Sequence, residues 1–220
     1  VWINGGSSRD REGKKGLNQI LFTLLSRGCE GFENLAFSEY IDSHGAELNL
    51  ETFEDGMLMS LKTLDEHFYK LFPLLELIIN KPSLLLSQFQ SVKKTTIETL
   101  KKDKENPFNI VFEKWRKIVY LKHPYAYNPS GYEEDISKIT HNDVLIEYEN
   151  FKNRNKYLIS NNSRINNKSF ELFNQNICKN KFISNPKDLN NRKRFVSTHK
   201  ESNQIILMIG NQTCPISSHE

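Results

Sequence analysis

The apolar positions Leu17, Ile20, Leu21, Leu24 and Leu25 recur at i, i+3, i+4, i+7 and i+8, the stripe of a helix packed against a core. The spacing predicts a helix over residues 16–28, closed by Gly28, with Gln19, Phe22, Thr23 and Ser26 on the opposite face. Leu21 and Leu24 are therefore expected in the core and Phe22 half-exposed. Upstream, residues 1–8 read as a strand entering a Gly-Gly-Ser turn, and the charged residues 9–15 as a linker. Downstream, Leu35, Phe37, Tyr40 and Ile41 suggest a short helix ended by His44-Gly45. Period-two alternation over 47–52, an Asp55-Gly56 turn and an apolar run over 57–61 predict a hairpin.

Helical spacing returns over 65–80, 84–104 and 106–119, punctuated by Pro82 and by Asn106-Pro107, and the apolar stripe of each is expected to be core. Residues 123–131 form a turn-rich loop. Thr140 with Asp143 three positions on makes a capping box for a helix to Phe151. A strand at 157–160, a helix near 169–177 and strands near 194–198 and 204–209 complete the pattern. Interleaved helices and strands without phosphate-cradling glycines predict an α+β fold, an antiparallel-rich sheet packed on a layer of helices.

At 220 residues and 37% hydrophobic content the chain can bury a sizeable core. It begins and stops beside strand-like stretches and reads as one domain, 1–220, cut from a longer protein. No stretch approaches the roughly 18 apolar residues of a membrane helix, and no signal peptide is visible. Cys29, Cys178 and Cys214 are widely spaced and odd in number, which argues against a disulfide framework and points to a reducing, cytoplasmic setting. The net charge of +3 is too small to imply a polyanionic partner. Residues 161–200 hold nine Lys/Arg against two Asp/Glu, but without aromatic platforms, so nucleic-acid binding is not expected. There is no nucleophile elbow, no phosphate loop and no Cys beside a visible base.

The run G-K-K-G-L-N-Q-I-L-F-T-L-L-S-R-G, residues 13–28, resembles the G-x-x-G-L-A-H-x-L-E-H-M-L-x-x-G stretch of the insulinase, pitrilysin and mitochondrial processing peptidase family. Three further stretches match in order: G-A-E-L-N-L-E-T-F-E-D at 45–55, the helix end at 98–107, and His123-Pro124-Tyr125 followed by Gly131 and the Ile136 to Thr140 passage. The best-matched part is 13–151. In that family an H-x-x-E-H helix carries two histidine zinc ligands and a glutamate base, and a Glu on a later helix completes the site. Here Gln19, Phe22 and Thr23 stand in for His, Glu and His, and the corresponding count from Thr23 lands on Thr99, with Glu98 beside it.

A Gln amide, a phenyl ring and two hydroxyls do not make a zinc site, and a phenyl ring cannot deprotonate water. The scattered His44, His67, His123, His141, His199 and His219 offer no replacement. In particular His67 reads as helix surface and His123 as a turn residue with a structural hydrogen bond.

The resemblance implies a catalytically inactive domain that binds no metal itself. It would form the chamber wall of a zinc metalloprotease whose zinc lies in a catalytically active homologous subunit or domain, the partner. Asn49, Leu50, Glu51, Thr52 and Phe53 would then be the sheet edge lining a peptide substrate, or plain hairpin. The alternatives left open are a structural subunit of a larger assembly that binds no peptide, and an active metalloendopeptidase whose zinc motif lies in another part of the chain.

Overall fold

The computed structural model describes residues 1–161, 195–199 and 205–210. The fold is α+β, with an antiparallel four-stranded sheet in the order β2-β3-β1-β4. Its strands are β1 (Trp2–Asn4), β2 (Glu47–Thr52), β3 (Gly56–Lys62) and β4 (Lys156–Tyr157). The hairpin runs in one register from Glu47 opposite Lys62 to Thr52 opposite Met57. Alternation in β2 leaves Leu48, Leu50 and Thr52 half-buried and Glu47, Asn49 and Glu51 exposed, as period-two pleating requires.

Seven α-helices accompany the sheet among the described residues: α1 (Leu17–Leu25), α2 (Asn34–Ser43), α3 (Phe68–Asn80), α4 (Leu86–Asp103), α5 (Pro107–Tyr120), α6 (Glu133–Lys138) and α7 (His141–Lys152). The capping box at Thr140 is present in both directions, Asp143 N–H donating to Thr140 Oγ1 at 3.2 Å and Thr140 N–H to Asp143 Oδ2 at 2.7 Å. The helix α6 was not expected from the sequence.

The helix α1 is central, packed on β2 and flanked by α4 and α7. It ends at Leu25 with Ser26 as C-cap, short of the Gly28 expected to close it. At its start, Asp10 is 5% exposed instead of lying in a solvated linker. The Asp10 carboxylate accepts the backbone N–H of Gly16 at 2.7 Å and of Asn18 at 3.0 Å, meeting donors that a helix N-terminus leaves free. Asn18, fully buried, accepts Arg154 Nη2 at 2.8 Å, and Arg154 also pairs with Glu147 of α7 and donates to Gly5 O. Buried polar groups persist when partnered in this way, and this network ties the N-terminal segment, α1 and α7 together.

Other expectations are corrected as well. Phe22 is not half-exposed: it is 1% exposed, its ring 6.4 Å from that of Phe151. The reason is that α1 is enclosed on more than one side, so seven of its nine residues are buried where a single stripe would bury fewer. The core stripes of α3 and α4 form, through Leu71, Leu75, Ile78 and Ile79 and through Phe89, Val92 and Leu100. The stripe of α5 does not, because Arg116 takes the inward position while Phe108 and Phe112 stay exposed and stack on one another at 6.1 Å. Last, β4 stops at Tyr157, and residues 195–199 and 205–210 carry no strand. A strand needs a ladder partner, and none of the described strands pairs with either segment. The helix expected near 169–177 lies outside the described residues.

Candidate functional site

The residues at the resembled ligand positions come from two helices that touch, α1 and α4. Gln19 and Thr23 are one turn apart on α1, and Thr23 Oγ1 donates to Gln19 O at 2.9 Å while Gln19 Nε2 donates to Thr23 Oγ1 at 3.3 Å. Both face a cleft of about 180 Å³ that Thr99 of α4 also lines. Glu98, beside Thr99, does not line it. Phe22 does not line it either, since its ring is packed on Phe151. Three of the four positions therefore meet in one cleft and the fourth is core.

Thr95 and Thr96 of α4 add hydroxyls to the cleft, over the buried side chains of Val92 and Leu100. Arg27, just past the end of α1, closes one side. Ser130 reaches the cleft because of a contact between two glycines with positive φ. Gly16 (+95°) and Gly131 (+81°) are so close that a Cβ built on Gly131 would lie 2.2 Å from Lys15 O and 2.7 Å from Gly16 Cα. Only residues without a side chain permit that approach, and it holds the loop before α6 against the entrance of α1.

This donor set does not fit the zinc that the resemblance implies for such a position. Zinc takes thiolate, imidazole or carboxylate, and the cleft offers an amide, hydroxyls and a guanidinium. Among the described residues no group of three or more His, Cys, Asp or Glu is placed to hold a metal. His67 ends a short 3-10 turn with Glu66 Oε1 at 3.6 Å and stands edge-on to His44 at 4.9 Å between ring centroids. His123 Nδ1 accepts Tyr125 N–H at 3.2 Å, a structural role. Burial and the charge of Glu30 push the Cys29 thiol up, which leaves it a poor nucleophile.

The His123-Pro124-Tyr125 loop is held by Arg116, whose Nε donates to Tyr125 O at 2.9 Å and whose Nη2 donates to Tyr127 O at 2.7 Å and pairs with Glu54. Tyr125 OH donates to Asp55 Oδ2, and its phenol is pushed up by burial and then by that bond. Of the residues expected to form a peptide-lining edge, Asn49, Leu50, Glu51 and Thr52 lie on β2, which pairs with β3 and occupies the end of the sheet order. Phe53 does not belong to that edge. Its N–H donates to Gly56 O at 2.8 Å, its carbonyl accepts Ser7 N–H at 2.9 Å, and its ring stacks on Trp2. The turn consumes both backbone groups that an added strand would need.

Comparison with known proteins decides the family. The model of the insulinase family, peptidase family M16, matches residues 1–130. The chain belongs to the insulinase family. Within it, the chain is 25% identical over 148 residues to cytochrome b-c1 complex subunit 1, mitochondrial, of Bos taurus, covering 67% of this chain and 31% of that protein. It is 20% identical over 158 residues to the non-peptidase homolog YmxG of Helicobacter pylori, covering 71% of this chain and 36% of that protein. The chain thus spans about a third of the length of these relatives.

Among solved structures, the peptidase M16 inactive domain from Pseudomonas fluorescens superposes with a TM-score of 0.62 at 21% identity, over 67% of this chain and 36% of that one. A protease from Helicobacter pylori reaches 0.68 at 20% identity, over 80% and 43%. These share the α+β fold. The cleft between α1 and α4 carries an amide and two hydroxyls at the resembled ligand positions, and one of the relatives is named as a non-peptidase homolog.

Proposed function

We propose that this insulinase-family chain is the non-catalytic half of a zinc metalloprotease. It supplies chamber wall and peptide contacts, while zinc and the H-x-x-E-H helix belong to a catalytically active homologous subunit or domain. One observation carries the reading: Gln19, Thr23 and Thr99, at the positions the family uses for ligands, line one cleft with side chains that zinc does not take. The scaffold is kept and the donor atoms are changed. The free edge of β2, Glu47–Thr52, is the segment on which a peptide would add as a strand.

Affinity purification of the tagged full-length protein from its own cells tests this. The expected result is a co-purifying chain, or a second domain of the same polypeptide, that retains H-x-x-E-H, and hydrolysis of an unstructured peptide by the complex but not by this domain alone. Similarity to a subunit of the cytochrome b-c1 complex favours a second reading, a wall component of a larger assembly that binds no peptide. Recovery in a complex that neither binds nor cleaves peptide would select that reading and overturn the first.

A further inference from the structure

We propose that the cleft between α1 and α4 is an oxyanion pocket that binds a carboxylate of a peptide, Arg27 supplying the charge and Thr95, Thr99 and Ser130 the hydroxyl donors. This goes beyond the pairing proposed above and concerns this domain by itself.

The charge balance of the cleft is one-sided. Arg27 is the charged residue lining it, and no Asp or Glu is among its lining residues. None of the ion pairs formed among the described residues involves Arg27. Its Nε is buried and without a hydrogen-bond partner there. A buried guanidinium N–H left unpaired is unfavourable, and the natural complement of a guanidinium fork is a carboxylate held by two parallel bonds. Gln88 Oε1 is likewise unpaired, but a bond between the two would use one of five guanidinium donors and leave the others directed at an incoming anion.

Arg27 is also held in place. Its N–H donates to Leu24 O at 3.0 Å and its carbonyl accepts Gln88 Nε2 at 2.9 Å, so the side chain projects from a backbone fixed on both sides. The apolar base of Val92 and Leu100 lowers the local dielectric and strengthens a charge interaction there. Thr99 is exposed at the rim, leaving a way in from solvent, and a volume of about 180 Å³ suits a carboxylate with part of one residue. The same guanidinium repels a divalent cation, so the set of side chains that is wrong for zinc is right for an anion.

The test is calorimetric titration of the full chain, at low and at high salt, with three peptides: acetyl-Ala-Ala-Ala as the free acid, the same peptide as its C-terminal amide, and acetyl-Ala-Glu-Ala-amide. Binding by the free acid assigns the pocket to a chain terminus and binding by the glutamyl amide assigns it to an acidic side chain. In either case the neutral amide binds about tenfold more weakly or worse, and binding weakens with salt. Arg27→Gln should abolish the difference between acid and amide while leaving the unfolding midpoint in place. Should that variant fail to fold, Thr99→Val, at an exposed position, should weaken the acidic peptide about threefold to tenfold. Equal binding of acids and amide, no binding of either acid at millimolar concentration, or acid binding unchanged in folded Arg27→Gln overturns the proposal. These outcomes are read without a partner protein and are separable from the co-purification result.

Discussion

Replacing Phe22 by alanine is the sharpest probe of how α1 is enclosed. A buried phenylalanine removes roughly 150–250 Å² from water, which at about 25 cal/mol per Å² is roughly 4–6 kcal/mol before the part alanine retains is subtracted. Phe→Ala substitutions in cores fall at about 3–5 kcal/mol. Phe22 is 1% exposed and within ring-contact distance of Phe151, with α7 on one side and the sheet below, so relaxation into the hole is limited and about 4 kcal/mol is expected. That is a large part of the roughly 5–15 kcal/mol that stabilises a domain. Phe22→Glu, which restores the family's residue type, would lose the same contacts and bury an unpaired carboxylate, and should not fold. Gln19→Ala, at the cleft, should change stability by about 0.5 kcal/mol or less. Urea unfolding followed by far-ultraviolet circular dichroism measures the two alanine variants, with an unchanged m value confirming that the native state is compared, and should show no cooperative transition for Phe22→Glu. A Phe22→Ala variant within about 1 kcal/mol of the parent protein would refute the enclosure of α1.

Two further outcomes follow from single contacts. Burial alone would raise the Asp143 carboxyl, but the Lys14 ammonium at 2.7 Å and the Thr140 backbone and hydroxyl bonds outweigh it and hold it at about 2. The stability it contributes is therefore present above the ordinary carboxylate value and lost as pH falls through about 2. Lys14→Met should remove about 1 kcal/mol of it at neutral pH and flatten the acid limb of a stability-versus-pH curve. Gly131→Ala should lower the thermal midpoint by the equivalent of about 2 kcal/mol or more, because its Cβ would lie 2.2 Å from Lys15 O. Gly13→Ala, also at positive φ but with nothing within 4 Å, should cost about 1 kcal/mol.

The parts of the fold that were legible in the sequence are those whose cause is local. The α1 stripe, the 47–61 hairpin and the Thr140–Asp143 capping box each depend on residues a few positions apart, and each forms. Asp10 reads as linker in the sequence because the N–H groups it meets belong to Gly16 and Asn18, and a cap delivered across a loop has no fixed spacing. The helical period puts Phe22 on the wrong face because one period describes one packing surface, whereas α1 has several. Arg116 displaced the α5 stripe because the carbonyls of a distant loop decide where a guanidinium can be buried. The helix α6 has six residues, too few for a period to show. At the cleft, the meeting of Thr99 with Gln19 and Thr23 was traceable only through the family resemblance, and Arg27 and Ser130 carried no sequence signal because tertiary contacts alone bring them there.

We propose that this insulinase-family domain keeps the scaffold of a zinc site without its chemistry. Metal analysis of the purified protein, loaded with excess zinc and then dialysed against metal-free buffer, tests it most directly. Zinc far below one equivalent per chain is the predicted result. One zinc per chain that survives dialysis and leaves only with a strong chelator would contradict it.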